Sequence, residues 1–184
     1  MSTIESLYGP VSQDIYEACK HLKLLVLDVD GVLSDGLIYL GNNNEEFKAF
    51  NTKDGYGIKA VAACGVDVAV ITGRTSSIVQ NRMQALNAKF IIQGEEDKQQ
   101  ALQTLMKECG LSPKEVASVG DDMPDAGLFA LSAVKVAVQD AHPQLLQQAN
   151  FVTKNKGGRG AVREFCDLIL QSKGQLEYIH GASL

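Results

Sequence analysis

The sequence lacks the features of a membrane, secreted or nucleic-acid-binding protein. No run approaches the roughly 18 apolar residues of a membrane span, and the most apolar early stretch, residues 22–33, is interrupted by Asp28 and Asp30. The first ten residues lack a basic region followed by an apolar core, so no secretory signal is predicted. The net charge of −5 argues against binding a phosphate backbone as the main task. We therefore expect neither a membrane nor a nucleic acid as partner.

Cysteine is also scarce, and its spacing indicates no shared site. The four cysteines are widely scattered and show neither paired nor metal-ligand spacing. This favours free thiols in a reducing cytoplasm. With 184 residues, 45% hydrophobic and 21% charged, the chain has the size and composition of one globular domain over 1–184, with a possibly mobile tail from about residue 173.

Short apolar runs alternate with amphipathic helical runs, which is typical of an α/β fold with a Rossmann-like parallel sheet covered by helices on both faces. A different pattern follows the first run, where residues 37–40 and 46–50 flank a Gly-Asn-Asn-Asn turn and predict a β-hairpin. No segment is long enough to form a cap domain over the sheet. The predicted strands are 22–27, 67–71, 88–92, 115–119, 135–138 and 151–153.

Polar side chains follow several of these predicted strands. Because ligands of open α/β sheets bind beyond the carboxyl ends of the strands, we expect these side chains to form one site. The set comprises Asp28 and Asp30 after the first strand, Thr72-Gly73-Arg74 after the second, Lys98 at a helix start, and Gly120-Asp121-Asp122 with Asp125 after the fourth.

The acidic residues of this set suit a magnesium ion. Asp28 and Asp30 lie two apart at a strand end, where one carboxylate and one backbone carbonyl can reach a common cation. With Asp121 they offer hard oxygen ligands and no nearby histidine or cysteine, which favours Mg²⁺ over zinc. The simpler alternatives are solvated acids, a strand-end turn at Thr72 and a solvated lysine at Lys98, although a cation is unfavourable at a helix N-terminus.

The motifs resemble a known superfamily. The elements Asp28-x-Asp30-Gly-Val, Thr72, Lys98 and Gly120-Asp121-Asp122-x-x-Asp125 are similar to the four ordered motifs of the haloacid dehalogenase superfamily. Within it, the segments LDVDGVLSDG, FNTKDGYGI, ITGR and GGRGAVRE resemble the 3-deoxy-D-manno-octulosonate 8-phosphate phosphatases, capless enzymes of lipopolysaccharide sugar synthesis. The resemblance covers residues 22 to 171.

This resemblance implies a Mg²⁺-dependent phosphatase with defined catalytic roles. Asp28 would attack phosphorus and form an aspartyl-phosphate, and Asp30 would protonate the leaving alcohol and then activate water. Thr72 and Lys98 would bind the transferring phosphoryl group. The implied metal ligands are Asp28, Asp30 and Asp121. Asp122 and Asp125 would not bind the metal directly but would orient Lys98 or the metal's waters.

The implied substrate is a sugar acid that carries a phosphate, a carboxylate and several hydroxyls. Arg74 and Arg82 would suit its anionic groups. The glycine-rich segment 157–160 before a helix can bind an anion or serve as a plain loop. The remaining predicted substrate contacts are Asp30, Asn51, Lys53, Asp54, Gly55 and Lys98.

Without a cap domain the site needs another cover, and the resemblance implies a homotetramer in which neighbouring hairpins and tails supply it. Three alternatives stay open: a nine-carbon sugar-acid phosphatase, a phospho-aspartate receiver module, and a catalytically silent binding protein. Receivers carry an acidic pair on the first strand and the phosphorylated aspartate later, whereas here the second acidic cluster follows the threonine and the lysine.

Overall fold

A computed structural model describes residues 2–43 and 45–176 of the chain, and it shows an α/β fold. The strands are β1 (Thr3–Ser6), β2 (Gly9–Ser12), β3 (Leu24–Leu27), β4 (Tyr39–Leu40), β5 (Glu46–Phe47), β6 (Asp67–Thr72), β7 (Phe90–Gln93), β8 (Val116–Gly120), β9 (Val134–Ala137) and β10 (Phe151–Val152). The helices are α1 (Gln13–Lys20), α2 (Thr52–Ala63), α3 (Ser77–Ala85), α4 (Lys98–Cys109), α5 (Ala126–Ala130), α6 (Pro143–Leu146) and α7 (Ala161–Ser172).

Six strands form one parallel sheet in the order β10-β9-β8-β3-β6-β7. All six sequence-predicted strands are present, with ends that differ by up to two residues. The central strand β3 is paired on both sides, so that Leu27 lies opposite Val70 of β6 and Val119 of β8. The carboxyl ends of β3, β6 and β8 therefore meet at one edge of the sheet.

The residues of β3 supply both faces of the core. Leu25 and Leu27 pack into a cluster with residues of α1, α2 and α7, whereas Leu24 and Val26 pack with α4 on the opposite face. This alternation follows from the two-residue period of a strand. All four residues are fully buried, which explains why a continuous apolar run predicts this strand correctly.

Helix α4 ends at Gly110, as predicted. This residue has a φ of 65°, in the left-handed region that glycine adopts without a steric penalty. The four cysteines are free thiols, and Cys19 and Cys166 are buried in the core. Within the described part of the chain, no helix has the length and apolarity needed to cross a membrane.

In residues 2–43 and 45–176, two antiparallel hairpins lie outside the main sheet. The predicted one, β4–β5, pairs Tyr39 with Phe47 and Leu40 with Glu46, and is shorter than its flanking sequence suggests. The other, β1–β2, was not predicted, and the Tyr8 hydroxyl after β1 donates a hydrogen bond of 3.0 Å to Asp167 of α7. The predicted tail from residue 173 begins just after α7, but residues 177–184 lie outside the described part.

Candidate active site

The predicted site residues meet at the carboxyl edge of the sheet. Asp28 directly follows β3, Thr72 ends β6 and Asp121 directly follows β8, so three neighbouring strands deliver side chains to one place. A cleft of about 380 Å³ opens there. Its lining comprises Asp28, Asp30, Thr72, Gly73, Arg74, Glu95, Glu96, Lys98 and Pro124.

Lys98 forms the centre of a buried ion-pair network. Its ammonium nitrogen lies 2.7 Å from Oδ1 of Asp28 and 2.7 Å from Oδ1 of Asp125, and all three side chains are less than a tenth exposed. Burial opposes the charge of this lysine, yet the two carboxylates raise the pKa of Lys98 above its ordinary value. The unfavourable position of a cation at the start of α4 is thus offset by two acids.

Carboxylate oxygens of Asp28, Asp121 and Asp125 all lie within 4.8 Å of one another. Burial and the charges of Asp28 and Asp125 raise the pKa of Asp121 to about 8. Burial and the charge of Asp125 raise the pKa of Asp28 to about 6, although Lys98 opposes this shift. Such crowding of like charges is relieved by a divalent cation, so the donor set fits Mg²⁺ with its preference for carboxylate oxygens.

The hydrogen bonds of Asp125 separate its role from that of Asp121. Oδ1 of Asp125 contacts Lys98, and Oδ2 accepts hydrogen bonds from the backbone N–H groups of Asp121 at 2.9 Å and Asp122 at 3.4 Å. This carboxylate therefore orients both the lysine and the loop after β8. Asp122 is exposed, and its Oδ1 accepts from the backbone N–H of Met123, which begins the turn Met123–Asp125.

Two glycines allow the loops of the site to approach closely. A Cβ at Gly31 would lie 2.1 Å from Oδ2 of Asp121, so the Asp-x-Asp-Gly glycine leaves space for that carboxylate. A Cβ at Gly157 would lie only 1.6 Å from the carbonyl oxygen of Gly31. The N–H of Gly158 donates to the carbonyl of Val32 at 2.8 Å. The segment 157–160 thus braces the loop after β3 through its backbone.

The carboxylate of Asp30 points away from the three clustered acids. It contacts the ammonium of Lys48, which follows β5, and Nε of Arg74 lies 3.8 Å from its Oδ2. The carboxylate of Asp30 is not among the three clustered acids, and the metal role predicted for its backbone carbonyl stays a prediction. Sequence reasoning missed Lys48 and Glu46, since polar residues in a hairpin ordinarily indicate a solvated surface.

The other predicted substrate contacts lie outside the cleft lining. Asn51 is the N-cap of α2 and accepts from the N–H of Lys53 at 2.9 Å, Lys53 is exposed, and Gly55 is buried in the first turn of α2. Arg82 lies in α3, and its buried Nε has no hydrogen-bond partner among the described residues.

Asp54 has a structural role in the fold, and the substrate contact predicted for it stays a prediction. Its side chain is buried, and its carboxylate accepts hydrogen bonds from the N–H groups of Gly160 at 3.3 Å and Arg163 at 2.7 Å. Both donors belong to the start of α7, where an acidic group is favourable. Asp54 therefore joins α2 to α7, which explains its position in the glycine-flanked segment FNTKDGYGI.

Comparison with known proteins extends these observations. Residues 87–165 match the family described as haloacid dehalogenase-like hydrolase. The curated 3-deoxy-D-manno-octulosonate 8-phosphate phosphatase KdsC of Escherichia coli (strain K12) is 46% identical over 183 residues, which cover 100% of this chain and 97% of that protein.

Solved structures show the same relationship. The crystal structure of 3-deoxy-D-manno-octulosonate 8-phosphate phosphatase from Yersinia pestis has a TM-score of 0.96 at 46% identity, and the match covers 100% of this chain and 99% of that one. The enzyme from Moraxella catarrhalis, in complex with a magnesium ion, a phosphate ion and KDO, has a TM-score of 0.87 at 39% identity, with 89% and 94% covered.

Proposed function

Since this chain belongs to the haloacid dehalogenase-like hydrolases and, among them, to the 3-deoxy-D-manno-octulosonate 8-phosphate phosphatase family, we propose that it hydrolyses this sugar phosphate to the free sugar acid and phosphate. The observation that carries the proposal is the buried Asp28–Lys98–Asp125 network beside Asp121, at the carboxyl edge of the sheet. The family match favours a phosphatase over the receiver-type and silent-binding alternatives.

Asp28 is the proposed nucleophile. It lies in the cleft at the end of the central strand, and its backbone N–H donates to the carbonyl of Val119, which anchors the residue to β8. Attack of its carboxylate on phosphorus releases the sugar alcohol and forms an aspartyl-phosphate, which water then hydrolyses. The ammonium of Lys98, 2.7 Å from its Oδ1, favours the ionised form that attacks phosphorus.

Asp30 is the proposed general acid and base. It lines the same cleft as Asp28, and its carboxylate is not among the three clustered acids. It donates a proton to the leaving alcohol in the first step and removes one from the attacking water in the second. General acid–base catalysis of this kind typically contributes about 10²–10⁴-fold.

Thr72 and Lys98 bind the transferring phosphoryl group. The Thr72 side chain is buried at the end of β6, and Lys98 is held in place by Asp28 and Asp125. The carboxylates of Asp28 and Asp121 and the carbonyl of Asp30 would hold Mg²⁺. When bound, this ion neutralises negative charge on the phosphoryl oxygens.

Arg74 is the proposed partner of the substrate carboxylate. Its side chain lines the cleft and is 52% exposed, so the guanidinium is accessible to an entering anion. Arg82, Asn51, Lys53 and Gly55 stay predictions, because the lining of the cleft does not include them.

We further propose that the chain forms one domain over 1–184, assembles as a homotetramer and acts in the cytoplasm. The β4–β5 hairpin region exposes Leu37, Tyr39, Leu40 and Phe47, each more than half exposed, next to a site that has no cap domain. An apolar surface of this kind is typical of a protein interface. Four free thiols suit a reducing compartment.

Phosphate release tests the catalytic proposal. The purified protein is assayed with Mg²⁺, and then with excess chelator, on eight-carbon and nine-carbon sugar-acid phosphates and on hexose phosphates. We expect metal-dependent release with a strong preference for the eight-carbon acid. A preference for the nine-carbon acid would keep the chemistry but change the substrate.

Asp28→Asn is the matched variant for this assay. It removes the nucleophile but keeps nearly the same shape, so we expect turnover to fall on the order of 10⁴-fold or more while the thermal unfolding midpoint stays close to that of the wild type. Normal turnover by this variant would refute the assignment of the nucleophile.

A further inference from the structure

Four charged side chains form a closed ring between the hairpin and the cleft. Two of them, Asp30 and Arg74, belong to the cleft, and two, Glu46 and Lys48, belong to the end of the hairpin. Lys48 contacts Oδ1 of Asp30 and lies 3.6 Å from Oε1 of Glu46. Arg74 closes the ring, with Nη2 3.6 Å from Oε2 of Glu46 and Nε 3.8 Å from Oδ2 of Asp30.

Lys48 is the most enclosed member of this ring. Its side chain is 0% exposed, whereas that of Arg74 is 52% exposed. Lysine is almost never fully buried unless its charge is paired, so the contacts with Asp30 and Glu46 are what allow this position. The direction of the Asp30 carboxylate is consequently set by a residue of the hairpin.

A second contact supports this orientation. The hydroxyl of Ser34, which is buried, donates to Oδ1 of Asp30 at 3.4 Å. Both Lys48 and Ser34 act on Oδ1, while Oδ2 remains on the side of Arg74 and the cleft. Among the described residues, Arg74 is the only other cation paired with this carboxylate, and its side chain is 52% exposed.

We propose that Lys48 is a positioning residue that holds the Asp30 carboxyl group in the orientation needed for proton transfer to the leaving alcohol. This inference rests on the proposed function and adds to it a residue outside the superfamily motifs. It also makes the hairpin part of the catalytic apparatus, because displacement of β5 would move Lys48 and release Asp30.

The test uses leaving groups that differ in their need for a proton. A sugar alcohol is a poor leaving group and depends on the general acid, whereas p-nitrophenol leaves readily without one. For Lys48→Met, we expect the single-turnover rate of sugar release to fall by about 10–100-fold, the range typical for groups that orient a catalytic residue. The burst of p-nitrophenol from p-nitrophenyl phosphate should stay within about threefold of the wild type.

Two further variants distinguish positioning from a structural role. Lys48→Arg keeps the charge and should restore part of the sugar release. Lys89→Met is the matched control, since Lys89 forms a 2.6 Å ion pair with Asp67 at the opposite edge of the sheet, and we expect normal rates on both substrates.

A kinetic double-mutant cycle completes the test. If Lys48 acts through Asp30, adding Lys48→Met to Asp30→Asn should slow sugar release no further. The inference would be overturned if Lys48→Met slowed both substrates equally or left the rate of sugar release unchanged. Additive effects of the two substitutions in the cycle would overturn it as well. Any of these results alongside a wild-type enzyme that is active on the sugar phosphate would leave the proposed function intact.

Discussion

Among the individual residues, Asp121 should contribute most to the dependence of protein stability on metal and pH. In the absence of metal its pKa is raised to about 8, chiefly by burial and then by Asp28 and Asp125. Between the ordinary value near 4 and this raised value, the folded protein binds more protons than the unfolded chain. The metal-free protein should therefore lose stability as the pH rises through this window.

This leads to a prediction for the thermal unfolding midpoint. With chelator present, we expect the midpoint to fall between pH 5 and pH 8. Because Mg²⁺ requires the ionised carboxylates, its stabilising shift should be larger at pH 8 than at pH 6. Differential scanning fluorimetry measures both effects, and Asp121→Asn should reduce them. If Mg²⁺ raised the unfolding midpoint equally at the two pH values, Asp121 would not be a ligand of the metal.

The contrast between Asp28 and Lys48 shows which site residues can be predicted from sequence. Asp28 follows a fully apolar strand, so its position at the carboxyl edge of the sheet is determined locally. The burial of Lys48 depends on how the hairpin folds back onto Asp30, a contact between segments that no spacing reveals. The contacts of Asp54 with Gly160 and Arg163 are equally unpredictable, since these partners are distant in sequence, and its substrate contact stays a prediction.

Between elements, the contact of α2 with α7 depends on Asp54. For Asp54→Ala we expect a loss of about 1–3 kcal/mol in the free energy of unfolding, because the N–H groups at the start of α7 lose their acceptor. Urea denaturation measures this loss. The exposed Asp14→Ala, in the first turn of α1, should change stability by less than about 0.5 kcal/mol.

The same variant also separates the two roles considered for Asp54. If the residue only joins the helices, the folded Asp54→Ala enzyme should keep a KM within about twofold of the wild type. A large rise in KM with unchanged stability would instead support the predicted contact between Asp54 and the substrate.

The β1–β2 hairpin illustrates a limit of prediction for short elements. Each strand has four residues, and only Val11 among them is buried, so neither strand has a continuous apolar run. Contacts to α7, such as that of Tyr8 with Asp167, add to the packing of Val11. In contrast, the central strand β3 is buried on both faces, and its composition alone identifies it.

For the molecule as a whole, the exposed apolar residues of the β4–β5 region predict a dependence of activity on concentration. If neighbouring subunits cover the cleft, dilution below the dissociation constant should reduce the specific activity. Light scattering coupled to gel filtration would show a tetramer at high concentration and smaller species on dilution. Leu40→Asp, on a residue 75% exposed, should shift this equilibrium towards the monomer.

Leu7 offers a control for the hairpin substitution. It is 63% exposed but lies at the β1–β2 turn, so Leu7→Asp should leave the assembly unchanged. A monomer with full specific activity at low concentration would contradict the cover supplied by neighbouring subunits.

The central position of β3 has a consequence for protein synthesis. This strand leaves the ribosome early, yet its two neighbours in the sheet, β6 and β8, follow much later, and the loop beyond it is braced by Gly157 near the end of the described chain. A nascent chain therefore carries an apolar strand with at least one unpaired edge until β8 has been made. We expect hydrolytic activity to arise only after the segment 157–160 has been synthesised, with no active fragment that ends before it.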